Sequence, residues 1–298
     1  MSKKTMNYLI YPAVVSLAVG IYAFSSSHGS NLLISAFGAV LFGAMLIAVF
    51  EQIIPYQLKW RPRPQDVKDD LLYTILIQIA VPRLLGFVIV LLLADQVDPD
   101  APFAGIWPHD WPVFAQALLL ITSADFMRYW LHRLSHTAPV LWRLHAVHHS
   151  TDRLYWLNTS RFHPIEKIFH FTLDSLPFIL MGVNPHVIGF WFVLYSVNGF
   201  FQHSNIQLRF GLLSSIFSTA ELHRWHHSQN PAESNSNYAN VFIIWDHLFG
   251  TYSRPTSEVG TLGLLNPEYP MGFIQQMKAP FVDDLYSHNA SSQQKIND

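Results

Sequence analysis

Long apolar stretches separated by short polar loops dominate the first 131 residues. A membrane-spanning helix needs roughly 20 apolar residues, and the stretches at 8–25, 32–54, 71–94 and 111–131 approach that length. The second carries no charge before Glu51, and the third is interrupted only by Pro82 and Arg83. The first resembles a secretory leader, but no small-residue cleavage site stands out and further spans follow, so it reads as an anchor. A polar, histidine-rich segment then runs to about Lys167. A second apolar block, 168–201, is broken at Gly182-Val183-Asn184-Pro185, a turn signal. Each half is short for a full span. The pattern predicts a helical hairpin that enters the bilayer and returns to the same side; two tilted spans give the same sidedness. From Asn205 onward the chain is less apolar, and the tail after Tyr286 is polar and predicts disorder. The expected fold is all-α: an integral membrane helical bundle with a cytoplasmic His-rich helical cap. Its expected divisions are N-terminal membrane helices over 1–110, a catalytic domain over 111–255, and a C-terminal cytoplasmic segment and tail over 256–298.

Charge orients the bundle. Segment 1–6 carries Lys3 and Lys4, and segment 55–70 carries Lys59, Arg61, Arg63 and Lys68. The alternate loops, 26–31 and 95–110, carry no Lys or Arg. The positive-inside rule then puts the N-terminus and the 55–70 loop in the cytoplasm, and the fourth span delivers His132 to the cytoplasmic surface. Bacterial inner membrane and endoplasmic reticulum fit equally. Only 13% of residues are charged, against about 25% in soluble domains. A net charge of -2 gives no electrostatic case for nucleic acid. The chain has no cysteine, which removes disulfides, iron–sulfur clusters and thiolate metal sites together.

Histidine is the unusual residue: there are 16, and twelve lie between His132 and His227. His132 and His136 form H-x-x-x-H. His145, His148 and His149 form H-x-x-H-H, a pattern repeated at His223, His226 and His227. Residues three and four apart share a helix face, so each cluster presents its imidazoles in one direction. His203 is a ninth candidate, at the inner end of the hairpin. Nine exceed what one ion takes, and two ions sharing them fit the count. Imidazole suits iron, zinc, copper and nickel alike, so ligand type does not choose the metal. Metal-bound histidines usually hand their other N–H to an acceptor. Asp125, seven residues before His132 on the same face, is a candidate for that role, with Glu166, Glu221 and Asp246. His163, His170, His186 and His247 read as packing, supporting or loop residues. Arg128 and Arg133 are expected at the membrane interface, and Trp130, Trp142, Tyr155, Trp156 and Trp225 in an interfacial belt.

The series His132-Arg133-x-x-His136, His145-x-x-His148-His149 and His223-x-x-His226-His227 resembles the fatty acid hydroxylase superfamily, also called the sterol desaturase family. Flanking residues agree: Asp125-Phe126-x-x-Tyr129-Trp130, His163-Pro164-x-Glu166, Asn237-Tyr238, and Trp245-Asp246-x-x-Phe249-Gly250-Thr251. The resemblance covers about 125–252. It implies a four-helix membrane core, a cytoplasmic dimetal site and O2-dependent oxidation of lipid C–H bonds. The expected cofactors are two iron ions, with O2 as co-substrate and a membrane lipid as substrate. Some members carry another histidine one turn before the position of His203; here that position is Gly199, which removes one potential ligand. No His-Pro-Gly-Gly of a fused cytochrome b5 is present, so electrons are expected from a separate reductase or carrier. Hydroxylation and desaturation are not separated by these motifs.

Two other classes compete. A membrane-bound zinc hydrolase needs a carboxylate base beside an open zinc position, and no H-E-x-x-H occurs. The second class is a non-redox metal-binding protein: a transporter would place ionisable groups near the bilayer midplane, whereas these histidines sit at span ends or in polar segments, and a non-catalytic structural metal protein is its other form.

Overall fold

The computed structural model describes residues 3–93 and 104–286. Among them the fold is helical, with three isolated β-bridges and no strand. The tail after Tyr286 and residues 94–103, most of them in the second loop without Lys or Arg, lie outside the described residues.

The first helix, α1 (Lys3–Ser27), and the second, α2 (Leu32–Ile53), form an antiparallel pair. Asn31 separates them and caps α2, its side chain accepting from the amides of Leu33 and Ile34. Both are long and apolar enough to cross a membrane. Their inner faces carry small residues, Ala18, Ala36 and Ala39, which let the helices approach closely. Their outer faces expose Leu17, Phe24, Ile34, Leu41, Met45 and Val49, an apolar surface that only lipid solvates without cost.

The third expected span begins earlier than its apolar run. Pro64 starts α3 (Pro64–Leu72), which continues through a π-helical segment, Tyr73–Ala80, into α4 (Val81–Leu93). Asp66 and Arg63 box the start of α3, so polar residues are recruited into a helix that hydropathy alone does not see. The fourth expected span falls largely within α5 (Val113–Thr137), whose 25 residues reach about 37 Å. By length and apolarity, only α1 and α2 among the described helices qualify as spans without polar interruption.

Ala138, extended as a residue before proline prefers, breaks α5 from α6 (Pro139–His149) in a single corner. Where the hairpin is expected, the chain forms α7 (Pro164–Asp174), a break at Ser175, α8 (Leu176–Leu180), a turn with Gly182 at φ +67, and α9 (Pro185–His203), capped by Asn184. The helix α9 lies at the centre and packs against α1, α2 and α5. Two glycines permit this. A Cβ on Gly189 would stand 1.9 Å from the Tyr22 hydroxyl, and one on Gly43 would stand 3.0 Å from Val197. After α9 come short helices and loops, including α10 (Ala220–His226). Glu51, buried at the end of α2, accepts from the amides of Trp156 and Asn205 and ties α2 to the segments that follow α6 and α9.

The expected aromatic belt is partly overturned. Tyr155 and Trp225 are core residues, 1% and 7% exposed, and the Tyr155 hydroxyl donates to Asp70. Trp142 packs against the ring of His136 at 5.3 Å.

Candidate metal centre

Four helices bring the nine imidazoles together. The last turns of α5 supply His132 and His136; α6 supplies His145, His148 and His149; α9 ends on His203; α10 and the residue after it supply His223, His226 and His227. They sort into two sets. His132, His136, His145, His149 and His226 form one; His148, His203, His223 and His227 form the other. Within each set the candidate ligand atoms lie within 4.8 Å of one another. A metal–imidazole bond of about 2.1 Å puts opposite ligands about 4.2 Å apart, so the spread suits one ion per set. The sets adjoin, with His149 stacked on His227 at 4.4 Å.

The outward nitrogens decide which atom faces in. The Nδ1–H of His132 donates to the Tyr238 carbonyl at 2.7 Å, that of His148 to the Arg161 carbonyl at 3.2 Å, and that of His226 to the Ser236 carbonyl at 2.8 Å. His145 donates to Glu166 at 2.6 Å, His203 to the Asn158 side chain at 2.8 Å, and His136 to the Asn235 side chain at 3.3 Å. In a neutral imidazole the other nitrogen then carries a lone pair. The inward Nε2 atoms of His132, His145 and His226 have no hydrogen-bond partner although they are enclosed. Elsewhere Nε2 faces Nε2, at 3.1 Å between His136 and His149 and 3.0 Å between His203 and His223. The inward lone pairs of the six rings that donate from Nδ1 are placed to take cations.

Electrostatics agree. Burial, and then the neighbouring imidazoles, hold His148, His149, His223 and His227 far below the ordinary histidine range, and His226 down to about 3. These rings are neutral at pH 7, as ligation requires. Burial pushes the Glu166 carboxyl up, but the adjacent His145 and His170 imidazoles outweigh it and hold the group well below the usual carboxylate range. A cavity of about 50 Å³ opens beside His136 and His149, under Trp142 and Leu264. It has room for one or two waters.

Of the four carboxylates expected behind the ligands, Glu166 alone among the described residues touches one of the nine rings. Asp125 accepts from the amides of Asn240, Val241 and Phe242, and Asp246 from those of Tyr238 and Ala239. Both thus shape the segment that offers its carbonyl to His132. Glu221 is the correction: it accepts from the Phe210 amide and the Ser214 hydroxyl and pairs with Arg254, away from the rings. Asn158 was not anticipated. It is fully buried, accepts from His203 and donates to the Arg153 carbonyl at 2.7 Å. His163 caps α7 and His170 leans on Glu166, as supporting residues.

Glu166→Gln keeps an acceptor but removes the charge behind His145. Such partners are worth about 10–100-fold in metal affinity. Competition with a chelator is expected to show a loss in that range, with the helical circular dichroism unchanged; wild-type retention would mean that the charge is idle.

Comparison with known proteins agrees with this picture. The fatty acid hydroxylase family model matches residues 117–251, which hold all nine histidines. The chain is 34% identical over 281 residues to an ornithine lipid hydroxylase (OlsE) of Rhizobium tropici, covering 93% of this chain and 84% of that protein. It is 33% identical over 161 residues to an alkylglycerol monooxygenase of Danio rerio, covering 54% of this chain and 34% of that one. It is 31% identical over 147 residues to a very-long-chain aldehyde decarbonylase (GL1-8) of Oryza sativa subsp. indica, at 48% and 54% coverage. No solved structure matches.

Proposed function

The chain belongs to the fatty acid hydroxylase family, and from that premise we propose that its nine histidines hold two iron ions with which O2 oxidises a C–H bond of a membrane lipid. It is an oxidoreductase of lipids with a histidine-built metal centre. One observation carries the finer reading: six of the nine rings donate Nδ1–H outward, which turns their Nε2 lone pairs into two adjoining sets. When bound, iron would supply the redox chemistry that unactivated C–H bonds demand and that side chains lack.

The protein's part is placement. The five-histidine set would hold one ion and the four-histidine set the other, and the hydrogen bonds behind the rings keep them from swinging. Burial of eight of the nine rings limits water at the centre. An apolar cavity of about 560 Å³ between α1, α5 and α9, lined by Val15, Val19, Ala117, Ile121, Phe190 and Leu194, has the size of an ordinary ligand pocket and suits hydrocarbon. The charge pattern of the loops supports a multi-pass protein with the centre on the cytoplasmic side. A separate reductase or carrier would deliver electrons. Because the R. tropici relative aligns with 93% of the chain, ornithine lipids are the first substrates to test and alkylglycerols the second.

The test combines metal analysis with O2 uptake and lipidomics. Two iron ions per chain, reductant-dependent O2 consumption, and a lipid that gains one oxygen or loses two hydrogens are expected. Zinc as the activating metal with no O2 consumption would instead mark a hydrolase.

Gly199 supplies a further check, since it lies one turn before His203 on α9. A Cβ there meets nothing closer than the Thr159 hydroxyl at 3.6 Å, an ordinary contact. Gly199→Ala is expected to keep its full metal content; loss of metal would reveal packing around His203 tighter than this.

A further inference from the structure

Arg128, expected at the membrane interface, is instead enclosed one turn before His132 on α5, at 7% exposure. A buried charge needs a partner and hydrogen bonds. Among the described residues Arg128 has only half of that. Its ion-pair partner is Asp174, with Nη1 at 3.6 Å, beyond hydrogen-bond reach. Nη1 is enclosed with no hydrogen-bond partner. Asp174 meanwhile accepts from the Ser175 hydroxyl at 2.7 Å. Aromatic faces flank the guanidinium, Tyr195 at 5.9 Å and Phe162 at 6.0 Å. Lys167, half-buried and two turns before Asp174 on α7, acts on the same carboxylate as Arg128. The neighbouring acid, Glu166, is turned toward His145 and His170. The charge of Lys167 is felt at Asp174 without an ion pair between them among the described residues, and Nη1 of the Arg128 guanidinium is left over as a donor.

The position relates this pocket to the metal centre. His203, Gly199 and Tyr195 follow one another at one-turn intervals on one face of α9. From His203 to Tyr195 is about 12 Å along the helix, and Gly199 leaves the strip between them without a side chain. A ligand held at Arg128 would run along this face of α9 past Thr159, which stands 3.6 Å from where a Gly199 Cβ would be, toward the four-histidine set.

We propose that Arg128 and Lys167 bind the anionic group, a carboxylate or a phosphate, of the lipid substrate and hold its chain along the Tyr195–Gly199–His203 face. The proposal rests on the lipid-oxidation reading above and names the class of lipid that this site selects. Asp174 is then the counter-ion that occupies the cations when no substrate is present.

Binding tests this without turnover, so its failure and that of the metal assignment are distinguishable. The metal-loaded full chain is placed in phosphatidylcholine nanodiscs, and retention of labelled oleate, oleyl phosphate and oleyl alcohol is measured. One of the two anions, or both, should bind at least tenfold tighter than the alcohol, and the stronger of the two identifies the source chemistry. Arg128→Gln should abolish that preference while alcohol binding stays, and Lys167→Met should reduce it. Asp174→Asn should raise anion binding, because it frees Arg128; a purely structural ion pair predicts the reverse. The asparagine variant also decides the matter if Arg128→Gln does not fold. Equal binding of all three amphiphiles by the wild type, a preference that survives Arg128→Gln, or weaker anion binding by Asp174→Asn each overturns the proposal.

Discussion

His226→Ala is expected to leave at most one metal ion per chain and to lower turnover by about 10³-fold or more, a barrier increase of roughly 4 kcal/mol. His226 is fully buried, and its ring stands 4.4 Å from His132, 4.6 Å from His136, 4.8 Å from His149 and 5.2 Å from His223. It is thus, like His149, a ligand candidate of the five-histidine set that also touches the other set. Its Nε2 is enclosed without a partner, while the Ser236 carbonyl orients the ring from behind. Alanine removes the donor and leaves the other imidazoles facing an unfilled space. The fold should survive, because α10 is anchored by other groups: Arg224 donates to the carbonyls of Ser204 and Ile206, and Leu222 is fully buried. Metal per chain, O2 uptake and membrane fractionation read the three parts separately, and added imidazole should restore part of the lost metal. His148→Ala is expected to behave alike from the other set. Full activity in either variant contradicts the assignment of these rings as ligands.

The apolar runs made the first two helices and the turn before α9 legible, since segments bounded by polar turns have little choice of structure in a bilayer. Histidine spacing on helices made the two H-x-x-H-H clusters legible in the same way. What stands behind the rings was not. Three of the six outward acceptors are backbone carbonyls, of Tyr238, Arg161 and Ser236, and a carbonyl leaves no mark on sequence. Asp125 shares a face with His132, but seven residues of helix separate them by about 10.5 Å, too far for a direct contact. Helical periodicity gives direction without reach. Arg128 was misplaced for another reason: its partner, Asp174, comes from a helix 46 positions later, and a charge in an apolar run reads as interfacial until such a partner is known. Tyr155 likewise depends on Asp70, contributed from far earlier in the chain.

Asp125→Ala should be the most destabilising change outside the histidines. The carboxylate is 2% exposed and accepts three backbone amides, Asn240 at 3.0 Å, Val241 at 2.8 Å and Phe242 at 2.7 Å. Each buried amide left without an acceptor costs about 1–3 kcal/mol, so a loss of about 3–5 kcal/mol is expected after partial relaxation. The consequence should travel to the metal. Asp246 holds the amides of Tyr238 and Ala239 in the same segment, and the Tyr238 carbonyl orients His132. Asn237 begins that segment at φ 57, a conformation asparagine tolerates better than most residues, with its side chain bonded to Ser253. Loosening one end of this short run leaves the other end to carry the register alone. Metal affinity of the five-histidine set should therefore fall by about 10–100-fold, the usual effect of losing the group that orients a ligand. Asp125→Asn keeps one acceptor oxygen but turns an amide donor toward other donors, so it should fall between alanine and wild type. Thermal unfolding of the metal-loaded protein and chelator competition measure the two effects independently. An alanine variant that melts and retains metal like the wild type would show that the segment holds its shape without Asp125, and that His132 owes its orientation to something else.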